Sequence, residues 1–449
     1  MKWLEQINGA VNQLVWGPFM LVLLVGVGVF YSIKLRFFQL TGFRVWWKKT
    51  ALSFLGTKKQ NDPRQTISPF QAMATALAGS IGTGNIVGVA NAIALGGAGA
   101  VFWMWVAAFF GMATVFAENI LGVKYRVKRQ GRFVGGPMYY IEHGLQCKWL
   151  AVLFALFCTL AAFGMGNMTQ ANSVAGALEN SFGVNRHLTG ILLAVLVGVM
   201  ICGGIGRISR LTEKLVPFMA VVYTAAVVIV LTVKAPAVPE ALGRIFREAF
   251  AWQSAAGGVI GYRMSQAIKY GISRGVFSNE AGLGSSPIVH SAAGTDDPYE
   301  QGMWGFFQVF VDTIVLCTLM ALCILTTGAD STGLDGIALS TFSFEAVLGH
   351  LGGGFLSVSI VLFAFATLVS WSYYGEKSVE YLTNGRFLGV YRLLYAGMVY
   401  VGCVSSLSLV WELSDTFNGL MALPNLAALI LLSGQVNRKE LRHSSCGSS

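Results

Sequence analysis

Charge is what this chain lacks most. Of its 449 residues only 12% are Asp, Glu, Lys or Arg, 55% are apolar, and the mean hydropathy is +0.62. A soluble domain carries about a quarter charged residues, so the composition excludes one and points to a chain dissolved in a bilayer. Long polar stretches are missing too. The longest are 34–67, 124–148, 234–256 and 328–352, which leaves no room for a soluble domain of ordinary size. Cysteine and histidine are sparse, at seven and five. Cys158, Cys202, Cys317, Cys323 and Cys403 fall in apolar runs, where a thiol behaves as a small hydrophobe, and Cys147 and Cys446 have no neighbour at disulfide or metal spacing. His143, His187, His290, His350 and His443 are scattered. We therefore expect no structural disulfide, no Cys/His metal site, no cofactor and no enzyme. Gly82-x-Gly84 lies inside an apolar run with no strand before it, which excludes a dinucleotide fingerprint.

What the chain has is apolar length. Windows of about 20 residues, enough to span a bilayer, recur at 15–33, 70–94, 99–124, 150–178, 188–203, 209–233, 262–292, 302–327, 353–375, 388–406 and 416–435. The first follows Glu5, has no small-x-small cleavage site and runs into a basic segment, so it reads as a retained helix and not a signal peptide. With loops placed alternately on two sides, one side collects 22 of the 31 Lys and Arg residues and the other five. Arg263, Lys269, Arg274 and Arg392 fall within spans. The basic side should be cytoplasmic, with the N-terminus outside, the C-terminus inside and the protein in the plasma (inner) membrane. The net charge of +10 then needs no nucleic-acid partner; Lys48, Lys49, Lys58 and Lys59 read as topology and lipid-headgroup contacts.

Two windows are interrupted. Gly79-Ser-Ile-Gly-Thr-Gly-Asn-Ile-Val-Gly88 places four glycines and Asn85 near the middle of the second, and Gly275-Val-Phe-Ser-Asn-Glu-Ala-Gly-Leu-Gly284 lies in the seventh. Each glycine costs a helix interior about 1 kcal/mol relative to alanine, and freed carbonyls at membrane depth need another partner. Paired interruptions point to the binding site of a secondary transporter. With 15–33 set aside, the remaining spans divide into 70–233 and 262–435, five each, and each five opens with an interrupted segment. Five is odd, so the second set runs inverted relative to the first. The expected organisation is an extra N-terminal helix and basic segment over 1–67, repeats over 68–234 and 235–436, and a cytoplasmic tail over 437–449.

If the first segment unwinds around Gly82 to Gly84, the restarted helix offers free N–H groups near Thr83, Gly84, Asn85 and Ile86 to a substrate carboxylate. The carbonyls from Ala78 to Ile81 are hard oxygen ligands suited to sodium, and the Asn85 oxygen adds one. Phe277 and Trp371 are expected to wall a small pocket, although core packing explains such aromatics as readily. Gln170 is expected to receive a substrate ammonium, whereas Asn172 is as well explained as a link between helices. Glycines in these segments also suit close helix packing, and Gly88 is a candidate for that.

Glu118, Glu280 and Asp312 are carboxylates within spans, functional by default. Glu280 is expected to structure the unwound loop. Asp312 is either a coupling group or the partner of Lys269 or Arg274. Glu118, near Lys124 and Arg126, reads as half of an interfacial salt bridge.

Gly96-Gly-Ala-Gly-Ala-Val-Phe-Trp-Met-Trp-Val-Ala-Ala-Phe-Phe-Gly111, with the two glycine-rich segments, resembles the pattern of the alanine or glycine:cation symporter family. The likeness covers essentially the whole chain. It implies inward transport of small neutral amino acids with sodium on a leucine-transporter type of five-plus-five helical fold. It also implies one ion among the Ser80 carbonyl, Asn85 and Ser278, and another among the Ala78 and Ile81 carbonyls and the Thr367 and Ser370 hydroxyls. A proton-coupled carrier and a substrate-sensing transceptor are the alternatives on the same fold; the sequence says nothing of oligomeric state.

Overall fold

The computed structural model describes residues 2–55, 67–250, 259–405, 408–438 and 440. Lys58, Lys59, His443 and Cys446, as well as the Arg263 side chain, lie outside what is described. Almost all of the described chain is helical; the exception is a hairpin of Val127–Arg129 and Arg132–Val134, with Val127 opposite Val134.

Each apolar window lies on a helix. Asn8–Lys34, Gly99–Lys124, Lys148–Phe182, Gly204–Val233, Pro298–Thr327 and His350–Thr383 are long and apolar enough to cross a membrane, and the bent pair Pro69–Ser80 and Thr83–Gly96 makes a seventh if counted as one span. Shorter apolar helices are Arg186–Cys202, Gly336–Leu348 and Leu388–Val404. Helix starts are written locally. Ser68 accepts from the Gln71 N–H while Gln71 accepts from the Ser68 N–H, a capping box with Pro69 in the first turn. Asn185 and Asp297 cap the helices that follow them in the same way, through the N–H groups of His187 and Tyr299.

The distribution of side chains is that of a protein whose solvent is apolar. Ile191, Leu192, Val195, Phe218, Val221, Leu393 and Leu394 are exposed, while Glu118, Glu280 and Asp312 are wholly buried. Gly99–Lys124 is central and packs on Pro18–Lys34, Val259–Asn279 and Pro298–Val309. Small residues set that approach. A Cβ on Gly271 would stand 2.4 Å from the Ala100 carbonyl oxygen, and one on Gly275 3.3 Å from the Ala107 Cβ.

The polar stretches are more ordered than their composition suggests. The 234–256 stretch contains the amphipathic helix Val238–Ala249, whose Glu248 accepts from the Ala98 N–H at 2.9 Å, just before Gly99–Lys124 begins. The 328–352 stretch holds Gly336–Leu348. Between the windows 188–203 and 209–233 the chain is mostly helix and not loop: Gly204, at φ +61°, makes the turn, and Arg207, Arg210 and Lys214 ride on the first turns of Gly204–Val233. Arg and Lys are good helix formers, so charge there marks a helix end emerging from the apolar layer.

Candidate functional site

The two interrupted segments are broken helices. Pro69–Ser80 ends at Ile81, Gly82 is extended at φ −127°, ψ −146°, and after a short turn over Thr83–Asn85 the helix resumes as Val87–Gly96, bent by 59°. Glycine is needed at 82 because a Cβ there would lie 2.6 Å from the Thr367 hydroxyl. Val259–Asn279 ends before Glu280, Gly282 and Gly284, at φ +58°, +85° and +82°, and Ser286–His290 follows. A left-handed glutamate costs about 1–3 kcal/mol and persists only where its surroundings hold it. Here Trp371 Nε1 donates to Glu280 Oε1 at 2.9 Å and the Ser285 hydroxyl donates to Oε2.

Two groups of oxygens meet at the first break. In one, the Thr367 hydroxyl lies 3.0 Å from the Ala78 carbonyl and 3.3 Å from that of Ile81; the Ser370 hydroxyl, on the same helix, is buried without a partner among the described residues. In the other, Asp312 is the hub. Asn85 Nδ2 donates to Asp312 Oδ1 at 2.9 Å, while the Ser278 and Thr313 hydroxyls donate to Oδ2 at 2.8 and 2.7 Å. The Ser80 hydroxyl lies near the same carboxylate while donating to the Leu77 carbonyl at 3.2 Å, the Ser80 carbonyl expected at the ion accepts from the Gly82 N–H at 2.9 Å, and Asn85 Oδ1 is buried without a partner among the described residues. The structure thus brings together Ala78, Ile81 and Thr367, and separately Ser80, Asn85, Ser278 and Asp312.

Around the break, Gln170 Oε1 accepts from the Thr83 N–H at 3.3 Å and its Nε2 donates to the Met165 carbonyl at 3.2 Å. Gln170 therefore faces the break, with its oxygen already engaged. Ile86 donates its N–H to the Thr83 carbonyl at 3.3 Å, so its amide is not free, while the Thr83 hydroxyl is buried without a partner. Gly84 sits 3.4 Å, by its would-be Cβ, from the Phe277 ring. Phe277 in turn lines a polar cavity of about 160 Å³ with Asn12, Trp16, Tyr270, Arg274 and Asp415. It therefore stands between that cavity and the break. Trp371 is wholly buried, edge-on to Tyr374.

Two sequence expectations are corrected, for Glu118 and Gly88, and two open alternatives are narrowed, for Asp312 and Asn172. Asp312 does not pair with Lys269 or Arg274; its partners are neutral, and Arg274 lies 3.7 Å from Asp415. Glu118 is no interfacial salt bridge: it accepts from Asn425 Nδ2 at 2.5 Å, while Lys124 pairs with Glu440. Asn172 donates to the Gly402 and Ser405 carbonyls and joins two helices away from the site. Gly88 admits no neighbouring helix, since a Cβ there would meet nothing within 4 Å.

Sequence reasoning missed the devices that aim these groups. Two widened, π-type turns, Gly164–Met168 and Phe310–Cys317, deliver Gln170 and Asp312 to the break. Cys317 and Thr313 come with the second. Cys317 Sγ lies 3.3 Å from the Ser278 hydroxyl, and Thr313 accepts from Asn279 Nδ2 at 3.2 Å. The Asp312-Thr313 pair in an apolar run was the available signal.

Known proteins share this architecture. MhsT, solved in complex with L-phenylalanine, superposes with a TM-score of 0.63 at 15% identity, over 86% of this chain and 93% of its own. That likeness establishes the leucine-transporter type of fold. The sodium/alanine symporter AgcS of Methanococcus maripaludis is 46% identical over 446 residues, covering 97% of this chain and 96% of the relative. A probable sodium/glutamine symporter and a putative sodium/proton-dependent alanine carrier, both of Bacillus subtilis, are 41% and 37% identical over 96% and 94% of this chain, and over 88% and 89% of their own lengths. The family model described as the sodium:alanine symporter family matches residues 1–444. With broken helices, buried carboxylates and this match over nearly its whole length, the chain belongs to the sodium:alanine symporter family, whose members are transporters and not enzymes.

Proposed function

We propose that the chain carries a small neutral amino acid, alanine or glycine, inward with sodium, by alternating access around a site between its two broken helices. The observation that carries this is the convergence at one break of the Ala78 and Ile81 carbonyls on Thr367, and of Ser80, Asn85 and Ser278 on Asp312. Hard oxygens in that number suit sodium, and a carboxylate at the hub supplies the balancing charge.

Gly84 and Asn85, at the start of the restarted helix, present backbone N–H groups and the positive end of a helix dipole to the substrate carboxylate. The Thr83 hydroxyl adds a donor beside them. Sodium held by Asn85 and Asp312 would then lie next to that carboxylate, so that each ligand favours the other. Phe277 and Trp371 leave little space beside the break, which supports a small side chain.

We read the described helices as eleven spans, with Pro18–Lys34 preceding two inverted sets of five. Support comes from matched features in each set: a broken first span, and a short helix between the second and third, Pro137–Gly144 in one and Gly336–Leu348 in the other. The repeats are taken as 68–234 and 235–436, with basic loops and the 437–449 tail cytoplasmic and the N-terminus outside, in the plasma membrane. Rocking of one set against the other would expose the site alternately to each side.

The test is uptake of radiolabelled alanine into proteoliposomes under an inward sodium gradient or an inward proton gradient at equal membrane potential. Accumulation with sodium alone is expected. Accumulation with protons alone would overturn the coupling, and none with either would remove the substrate.

A further inference from the structure

Among the described residues three carboxylates are wholly buried, and two of them, Asp312 and Glu280, belong to the site above. Glu118 does not. It lies near the middle of the last third of Gly99–Lys124, where Asn425 Nδ2 donates to its Oε1 at 2.5 Å and to the Gly282 carbonyl at 2.9 Å. Asn425 Oδ1 accepts from the Tyr140 hydroxyl, so the amide is saturated. The backbone N–H groups of Gly282 and Gly284 also face Glu118, although its Oε2 is buried with no well-formed hydrogen bond among the described residues.

Among the described residues no positive charge faces this carboxyl. The titratable groups around it are Glu280 on the second broken helix, Tyr31 on Pro18–Lys34 and Tyr140 on Pro137–Gly144. The bases nearest in sequence are occupied elsewhere. Lys124 bonds Glu440 and the Gln435 carbonyl, and Arg126 bonds the carbonyls of Ala293 and Thr295. An ionised carboxylate in a dry interior, with no cation to balance it and a second acid nearby, is held at heavy cost even where amide and backbone N–H groups face it. One proton on Oε2 removes the charge and turns an idle acceptor into a donor.

We propose that Glu118 is a proton-binding site of the carrier, which holds a proton while the Gly282–Gly284 segment is packed against it and releases it when that segment moves away. In the release step the O–H bond of the carboxylic acid breaks, the electron pair stays on Oε2, and the proton passes to water entering from the side of the basic loops. Repacking reverses it. The placement ties protonation to the unwound segment of the second broken helix, through Asn425, and not to the sodium-suited oxygens at the first. This rests on the transport reading above.

Infrared spectra of the purified protein at neutral pH are expected to contain a carboxylic acid C=O band that shifts on exchange into D2O and is missing from Glu118→Gln. Spectra of the two proteins without that difference would overturn the inference. In proteoliposomes, sodium-driven alanine uptake by the wild type is expected to change several-fold with pH on the basic-loop side, and that of Glu118→Gln to be flat. Identical pH profiles would also overturn it. If the wild type takes up no alanine, the substrate reading falls while the infrared band still decides the proton site. Should Glu118→Gln fail to fold, Asn425→Leu keeps the acid and removes its amide donor, and must shift the same band; an unmoved band sinks the assignment.

Discussion

Asn85 answers to two neighbours at once. Its Nδ2 is committed to Asp312, and its Oδ1 is buried with no partner among the described residues. Removing it takes away one oxygen and leaves the Asp312 carboxylate short of a donor, a loss of about 1.5–3 kcal/mol for a bond to a charged group. Asn85→Ala is therefore expected to raise half-saturating sodium about tenfold or more; an unchanged half-saturation would remove Asn85 from the ion site. Trp371→Phe keeps an aromatic ring and deletes the donor to Glu280, so the left-handed Glu280 loses one of its two holds. Thermal unfolding should register a destabilisation of about 1.5–3 kcal/mol, and a wild-type melting curve would mean that the loop holds itself. At this scale glycines and amides at membrane depth could be read from the sequence, but their partners could not. Asn85 and Asp312 are 227 positions apart. Glu118 was misread for a plainer reason: Lys124 lies six residues on, where a helix presents a different face, and only neighbours three or four apart meet.

The elements make a matched pair of tests. Gly166 lies in the first widened turn, and a Cβ there would stand 2.4 Å from the Trp371 Cβ, whereas one on Gly88 would meet nothing within 4 Å. Gly166→Ala is expected to lower stability by about 1–3 kcal/mol through overpacking and to depress uptake. Gly88→Ala, in the first turn of Val87–Gly96 with room to spare, should hold or gain up to about 1 kcal/mol. Thermal unfolding of both variants compares them directly; equal losses would mean that packing against Trp371 does not explain the glycine. Apolar windows revealed the long helices because lipid demands about 20 uninterrupted residues. They passed over Val238–Ala249, where Glu240, Arg244, Arg247 and Glu248 dilute a helix that needs only one apolar face. The widened turns left no trace in composition, since they differ from ordinary helix only in which carbonyl each amide meets.

For the molecule as a whole, the proposed division into two sets rests on counting spans, and the contacts that join residues of one set to residues of the other were invisible to that count. Arg126 gathers the far end of the second broken helix: its guanidinium donates to the Ala293 and Thr295 carbonyls at 2.6 and 2.8 Å and sits 3.7 Å from the Phe133 ring centre. Arg126→Ala is expected to speed amide hydrogen exchange over residues 291–296 while leaving Gly99–Lys124 protected. Unchanged exchange there would show that the segment is fixed without the clamp. Within Arg126's reach the two broken helices meet directly, where the Gly294 N–H donates to the Ile67 carbonyl at 2.9 Å and Ile67 lies alongside Ala293 as in a parallel strand pair. That fastening is made of main chain alone. It contains no titratable group and no side chain, so neither acidity nor substitution at Ile67 can undo the bond itself. If the two proposed sets rock against each other, how readily they part must be tuned by what surrounds the bond, and any variant that changes that rate should map to its flanks.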